Sequence, residues 1–468
     1  MSDHEMKYGE DYKDLQIFFE GERAVKAANE RFTPRLEGQK NNSTAYQTYK
    51  EMGILFNSLS RTRQGLKGAI LRKPIDIQFP ESQKPVLDDI MLNGASFDDM
   101  AREVCDLILG YGRNGILVDI DQNEKPYAAI YSPMSILKYP EIKRQNVGQE
   151  ILLQEIIEVE DEDNAGETKQ IEQRRKLEID STGKYLVTVY QKGKGVDDGW
   201  LPIPPTPEVQ NPKYPVYKGK KLDFIPFVFF GSSSNTPEPS RPPLLDLLNI
   251  LKGHWRMSVS YYYAVNFAGL PTACFSGFSF EDGQTIPLGP GVVHHSSDPG
   301  AKSWFLQTGG EGLASIEKAL DRLEKQMAIV GARLLETQRP GVEAEETVRL
   351  RSSGDSASLA DISKNIGDGL TDVLRYVGFW LGIPPKECSA SLSKDFLSTR
   401  LSSQDITALL GALQAGAIST DTFIFSLQQG EILPDGRTIE EEKELIGEDK
   451  IANQKNAPNL NGLAGKFL

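Results

Sequence analysis

The sequence predicts an α+β chain, in which strands and long helices occupy separate stretches instead of alternating. Two observations carry this. Between residues 113 and 192, apolar and polar positions alternate at period two in short runs broken by turns. From residue 244 onward, three long stretches, 244–267, 313–336 and 355–383, repeat their apolar positions at helical spacing. A length of 468 residues implies two to four structural units at roughly 100–200 residues each. With 39% hydrophobic and 25% charged residues, the chain can bury a sizeable core and is no disordered polyelectrolyte.

Residues 1–66 read as mostly helix with a frayed start, with Tyr46, Met52, Leu55 and Leu59 near helical spacing. Leu87, Ile90, Met91, Met100, Val104 and Leu107 place a second helical stretch over 86–109, turning near Gly94. Residues 115–120 read as a buried strand and 127–131 as its partner, with Asn123 and Glu124 in the turn. Residues 151–192 read as a β-meander, with a tight turn at 181–184. A Pro/Gly-rich connection over 193–243 brackets one short strand, 224–230. Such long irregular connections are usually functional or interfacial. Between the first two long helices, residues 270–308 return to short strands and turns. Pro384 and Pro385 end the third helix, for which Asp355 or Ser356 is a plausible N-cap. Residues 403–428 carry shorter helices, and residues 441–468 are expected to form a charged, disordered tail.

Charge limits the function. The chain carries 66 acidic against 52 basic residues, a net charge of −14. A protein gripping DNA over a wide face needs a basic surface, so any DNA contact here is local or loose. Cys105, Cys274 and Cys388 are odd in number and far apart, which fits reduced, buried thiols in a cytoplasmic product. The longest apolar run, 224–230, is interrupted by Pro226 and too short to cross a bilayer. The polar, acidic N-terminus does not resemble a signal peptide.

Catalytic signatures are scarce. The sequence contains neither a P-loop nor a Gly-x-Ser-x-Gly elbow. Adjacent His294 and His295 diverge in a strand and make a poor metal pair. Asp119 and Asp121 could hold a divalent cation through two oxygens, or could simply end a strand at a turn. The expectation is no enzyme, no cofactor and no metal.

The sharpest pattern lies in residues 313–336. Leu313, Ile316, Leu320, Leu323, Met327, Val330 and Leu334 follow a 3-4-3-4 spacing, a coiled-coil-like seam that needs a partner helix from this chain or another copy. At ~1.5 Å per residue this helix runs roughly 36 Å. The helix over 355–383 carries Leu359, Ile362, Ile366, Val373, Val377 and Trp380 on one side. Its glycines, Gly367, Gly369 and Gly378, cost roughly 1 kcal/mol each in a helix, which close helix crossing or bending would explain. Residues 337–354, rich in Gly, Pro and charge, read as a loop longer than a compact bundle uses.

The order of these elements, taken together, resembles that of tailed-bacteriophage portal proteins, the head-to-tail connectors. Residues 114–119 with 125–127, residues 226–228 followed by 242–247, residues 346–348 through 356–359, and residues 395–396 before 401–402 resemble a portal subfamily of the DUF4055 kind. The resemblance spans about residues 50–435, and the ordered set is more specific than any one member.

That resemblance implies the portal fold. It comprises a wing over 1–240 and 355–399, stem helices at 244–267 and 313–336, and a β-rich clip at 270–308. A tunnel loop at 337–354 and a small helical crown at 400–440 complete it. It implies a homo-oligomeric ring, usually of twelve copies, at one capsid vertex of the virion, serving DNA packaging and ejection. The implied partners are capsid and scaffolding proteins, the terminase large subunit, head-completion or adaptor proteins at the clip, and double-stranded DNA bound transiently without sequence specificity. No membrane is implied. Arg339, Arg349 and Arg351 become candidates for phosphate contact; the alternative is that they pair with Glu343, Glu345 and Glu346. The seam residues become ring-packing residues. Rival readings are another structural ring of the virion, or a metal-dependent transferase using Asp119 and Asp121.

Overall fold

The computed structural model describes the chain outside residues 1–6, 41–42, 92, 141–147, 161–167, 194–198, 207–209, 271, 280–291, 307–311, 332–344, 394–395, 397–402, 430–431, 434–438 and 457–468. Met1–Lys394 and Asp395–Leu468 are separate compact units. Helix and sheet are mixed, as an α+β chain requires.

The first unit begins with helices α1 (Gly9–Glu20), α2 (Glu22–Ala27), α3 (Thr44–Glu51) and α4 (Ser58–Ile70). A short strand β1 (Asp76–Gln78) and helix α5 (Phe97–Tyr111) follow. The Ser96 hydroxyl accepts from the Asp99 amide at 3.2 Å, and Asp99 accepts from the Ser96 amide at 3.1 Å. This capping box fixes where α5 starts. Gly112 ends it at φ 76°, a conformation glycine adopts without strain. A Cβ there would also lie 2.7 Å from the Arg241 carbonyl oxygen. The chain thus turns directly into strand β2 (Arg113–Ile120), which pairs with β3 (Pro126–Tyr131).

Strands β4 (Ile136–Lys138), β5 (Glu150–Glu160), β6 (Thr168–Ile179), β7 (Tyr185–Lys192) and β8 (Trp200–Pro202) form a five-stranded antiparallel meander. A small hairpin, β9 (Val216–Tyr217) and β10 (Lys220–Lys221), precedes β11 (Phe227–Gly231). The sequence indicated a lone strand near β11. In the fold it pairs antiparallel with β2, making the sheet β11-β2-β3. This long-range closure buries β2 almost throughout.

Helix α6 (Leu245–Gly269), strands β12 (Thr272–Ser276) and β13 (Lys302–Leu306), helix α7 (Leu313–Gly331) and helix α8 (Glu345–Leu381) follow. Helix α8 packs on α5 and on the sheet β11-β2-β3. After it, β14 (Ser389–Ser391) pairs back onto β1. Thr371 of α8 accepts from the Ala390 amide at 3.0 Å and donates to its carbonyl at 2.9 Å. In the second unit, α9 (Ser403–Gln414), α10 (Thr420–Gln429) and α11 (Ile439–Asn456) are helical. The Ser419 hydroxyl accepts from the Thr422 amide at 3.1 Å at the start of α10.

Three expectations are corrected. The third long helix starts at Glu345, not at Asp355 or Ser356. The second half of the expected 337–354 loop is therefore helix, and its first half lies outside the described residues. Glutamate, arginine and leucine over 345–350 favour helix more than Gly354 opposes it. The charged tail is likewise helical as far as Asn456, because a run of glutamate and lysine is strongly helix-forming. Finally, Cys105 and Cys388 are buried but Cys274 is only half-buried.

The helical glycines have a steric reason. A Cβ on Gly369 would lie 2.6 Å from Cδ1 of Phe230, which is fully buried in β11. A Cβ on Gly378 would lie 2.7 Å from the Cys388 sulfur. Gly369 is kept small by the close approach of strand β11, and Gly378 by the segment that leads into β14, not by a helix crossing. Gly369→Val is expected to destabilise the first unit by about 2–4 kcal/mol, combining overpacking with loss of helix propensity in either rotamer. A urea midpoint within error of the parent's would contradict this packing.

Candidate assembly surface

The sequence gives α6 and its N-cap a stripe at threes and fours: Leu244, Leu248, Leu251, Trp255, Ser258 and Val259. These positions are buried against the N-terminal helices. The Trp255 indole N–H donates to the Thr33 hydroxyl at 3.0 Å. Ser258 donates to the Ile54 carbonyl at 2.8 Å. Lys252 pairs with the carboxylate of Asp14. Tyr49 packs edge-on against Tyr263 with centroids 5.1 Å apart. The first two-thirds of α6 are thereby anchored.

Beyond Val259 no residue of α6 is buried, although Tyr261, Tyr262, Tyr263, Ala264, Val265 and Phe267 are all apolar or aromatic. An apolar helix face facing water calls for a partner. Helix α7 supplies part of one. It runs beside α6, with the His254 Nε2 3.2 Å from Glu324 Oε1. The Ser58 hydroxyl lies 3.1 Å from the Met327 sulfur.

The 3-4 seam of α7 divides in the structure. Leu320 is 9% and Met327 1% exposed. Leu313, Ile316 and Leu323 are half-buried, and Val330 is exposed. Leu334 lies outside the described residues. The seam therefore turns mainly inward, onto the chain's own α6 and α4. Leu320→Ala is expected to cost about 2–3 kcal/mol of folding stability, seen as a lower unfolding midpoint of the dissociated chain. The resemblance had cast Leu320 as a ring-packing residue, one whose loss would impair assembly more than folding. Its burial against α6 makes it part of the fold.

The ribbon β12–β13 joins the far ends of the two helices. Its pairs run from Thr272↔Leu306 to Ser276↔Lys302. All five residues of β13 are exposed, so neither of its faces is covered. Phe305 is 66%, Leu270 69% and Val293 87% exposed. A two-stranded ribbon alone is at best marginal in water, and each such side chain gains roughly 1.5–3 kcal/mol when fully covered. Sequence reasoning placed strands here but not their nakedness. A ribbon with apolar residues on both faces was the available signal. His294 sits outside any strand, its ring 5.1 Å from that of Phe275.

Arg339 lies outside the described residues, while Arg349 and Arg351 fall in the first turns of α8. Asp119 and Asp121 are occupied locally. Asp121 accepts from the Asn123 and Lys125 amides, both at 2.8 Å, which makes it a turn residue. Asp119 accepts from the Ile120 amide at 2.9 Å. Burial raises its pKa against the pull of that amide, Lys213 and Arg175. Among the described residues no group of three or more His, Cys, Asp or Glu could hold a metal ion. Nor is any described helix long and apolar enough to cross a membrane.

Residues 243–381 match the family described as Domain of unknown function (DUF4055). The match runs from α6 to the end of α8, so it takes in the whole arm made of α6, the ribbon β12–β13 and α7. No curated protein matches the chain. Among solved structures, a chain from the virion of a native gene transfer agent particle is 11% identical, covering 86% of this chain and 98% of its own, with TM-score 0.37. A chain from the neck of the empty particle, computed with C6 symmetry, is 10% identical over 87% and 94%, with TM-score 0.38. One from the neck of the native particle, computed with C12 symmetry, is 12% identical over 86% and 98%, with TM-score 0.36. Scores below 0.5 do not establish a shared fold.

Proposed function

We propose that the chain is a structural ring protein of a tailed phage, specifically its portal, with no catalytic activity. The observation that carries this reading is the arm. It is anchored at one end by Trp255 and Ser258 and bears uncovered aromatic residues at the other. A surface of this kind on a folded chain calls for neighbours, and repeated head-to-tail contact between copies closes a ring. The match over 243–381 falls on the same segment, and the order of elements resembles the portal arrangement. On this reading the ribbon meets neighbouring copies and head-completion proteins, and the segment between α7 and α8 faces DNA in the channel. The acidic balance suits a channel that lets DNA slide.

Native mass measurement with negative-stain imaging tests it. The expected result is a closed ring of about a dozen copies with a central hole of DNA width. A monomer that binds Mg²⁺ tightly, and loses it on Asp119→Ala, would replace this reading with the metal-dependent transferase.

A further inference from the structure

Arg113, at the start of β2, is 1% exposed. One of its nitrogens, Nη2, donates to the Pro237 carbonyl at 2.6 Å. Its guanidinium carbon lies 4.5 Å from the ring centre of Tyr139 and 5.4 Å from that of Phe229. Among the described residues Nε and Nη1 are buried without a hydrogen-bond partner. Among the described residues, the ionisable groups that act on it are Tyr12 and Tyr139, and no carboxylate balances it. Burial pushes its pKa down to about 10, and it still carries its charge at neutral pH. The Tyr12 side chain is fully buried, with its hydroxyl also unpartnered. Burial raises that hydroxyl's pKa despite the Arg113 charge, so it stays protonated and can donate.

A buried charge without a partner costs several kcal/mol. Water answers the need poorly. It can accept from these donors, but it brings no charge to balance the guanidinium. A macromolecular carboxylate or phosphate cannot reach a side chain this enclosed. A divalent anion would carry one charge too many and lose more hydration.

We propose that Arg113 and Tyr12 form an internal site for one small monovalent anion of chloride size. The guanidinium Nε–H and Nη1–H groups and the Tyr12 O–H donate to it. Four separate segments meet at the guanidinium: β2 through Arg113, the chain after β4 through Tyr139, β11 through Phe229, and the connection to α6 through Pro237, and its charge acts on the hydroxyl of Tyr12 in α1. The ion pins the N-terminal helices to the sheet β11-β2-β3. This does not depend on the ring reading.

The test is thermal unfolding of the full chain in its native assembly state, exchanging sodium gluconate for sodium chloride or bromide at constant ionic strength. Chloride and bromide are expected to raise the midpoint by about 1–2 °C in a saturable way, whereas gluconate, too large to enter, does not. Arg113→Met removes the dependence. Tyr12→Phe shifts saturation to roughly tenfold higher chloride, as losing one hydrogen bond to an ion does. If Arg113→Met does not fold, Tyr12→Phe decides, together with ³⁵Cl NMR line broadening that bromide competes away. A halide effect absent from the parent, or equal in parent and Tyr12→Phe, overturns the proposal.

Discussion

Glu155→Gln is expected to lower the stability of the first unit by about 2–4 kcal/mol at pH 7, a figure for a partly buried pair that loses one partner. Glu155 of β5 joins the meander to the other sheet. Its carboxylate accepts from the Tyr131 hydroxyl of β3 at 2.6 Å. It also accepts from Arg175 of β6 at 2.6 Å through Nε and 3.2 Å through Nη2, and from the Gln173 amide. A fork of this kind is among the stronger side-chain pairings. The variant leaves the Arg175 charge half-buried without its partner.

The pH dependence has a definite sign. Burial raises the Glu155 pKa, but the Arg175 charge and the bonds from Arg175, Tyr131 and Gln173 outweigh it, so the folded value is lowered. The stabilisation is then fully present above the unfolded carboxyl pKa, about 4.3. It is lost as pH falls through the folded value. Asp119 works in the opposite sense. Its raised folded pKa favours the protonated form, so its contribution is best below about 3.9 and weakens as pH rises through the folded value. Denaturant unfolding from pH 3 to pH 8 (about one unit per step) is expected to show parent and Glu155→Gln converging at the acid end. Parallel curves across that range would remove the carboxylate from its role between the sheets.

What could be read from the chain alone follows the range of the interaction. The hairpin β2–β3 and the meander were legible because period-two alternation and a turn at Asn123–Glu124 are local. The partner of β11 was not, since the register Phe227↔Leu117 joins residues far apart in sequence. The helix start at Glu345 was missed because Ser352, Ser353 and Gly354 look like a break, and only continued propensity on both sides overrides them. In the candidate surface, the 3-4 spacing of α7 pointed to a seam with some partner helix. Spacing alone does not tell an intrachain helix partner from another copy, and Leu320 and Met327 turn to the chain's own α6 and α4. Arg113 lies ahead of the strand read over 115–120, and nothing local in the sequence marks the burial that β11 and Tyr139 impose on it.

If the arm is the contact between copies, the residues that matter for assembly are those the fold leaves outside. Phe305→Glu, or Trp304→Glu on the opposite face of β13, is expected to abolish oligomers while leaving the unfolding midpoint of the dissociated chain within about 0.5 kcal/mol, as exposed sites do. The reasoning is a comparison of environments. In the free chain Phe305 and Trp304 meet water, so a glutamate there costs little beyond some strand propensity. In a buried interface the same carboxylate loses its hydration with no partner, a cost of several kcal/mol per copy. A closed ring repeats that cost at every contact. Leu320→Ala is the internal control with the reverse pattern, since its side chain is covered within the chain by α6. It should lower the folding midpoint first and affect assembly only through that loss. Sedimentation velocity on the three variants at matched concentration separates the two effects. Oligomers of normal size in both glutamate variants would mean that the ribbon is covered by a different protein, and that copies of this chain meet elsewhere.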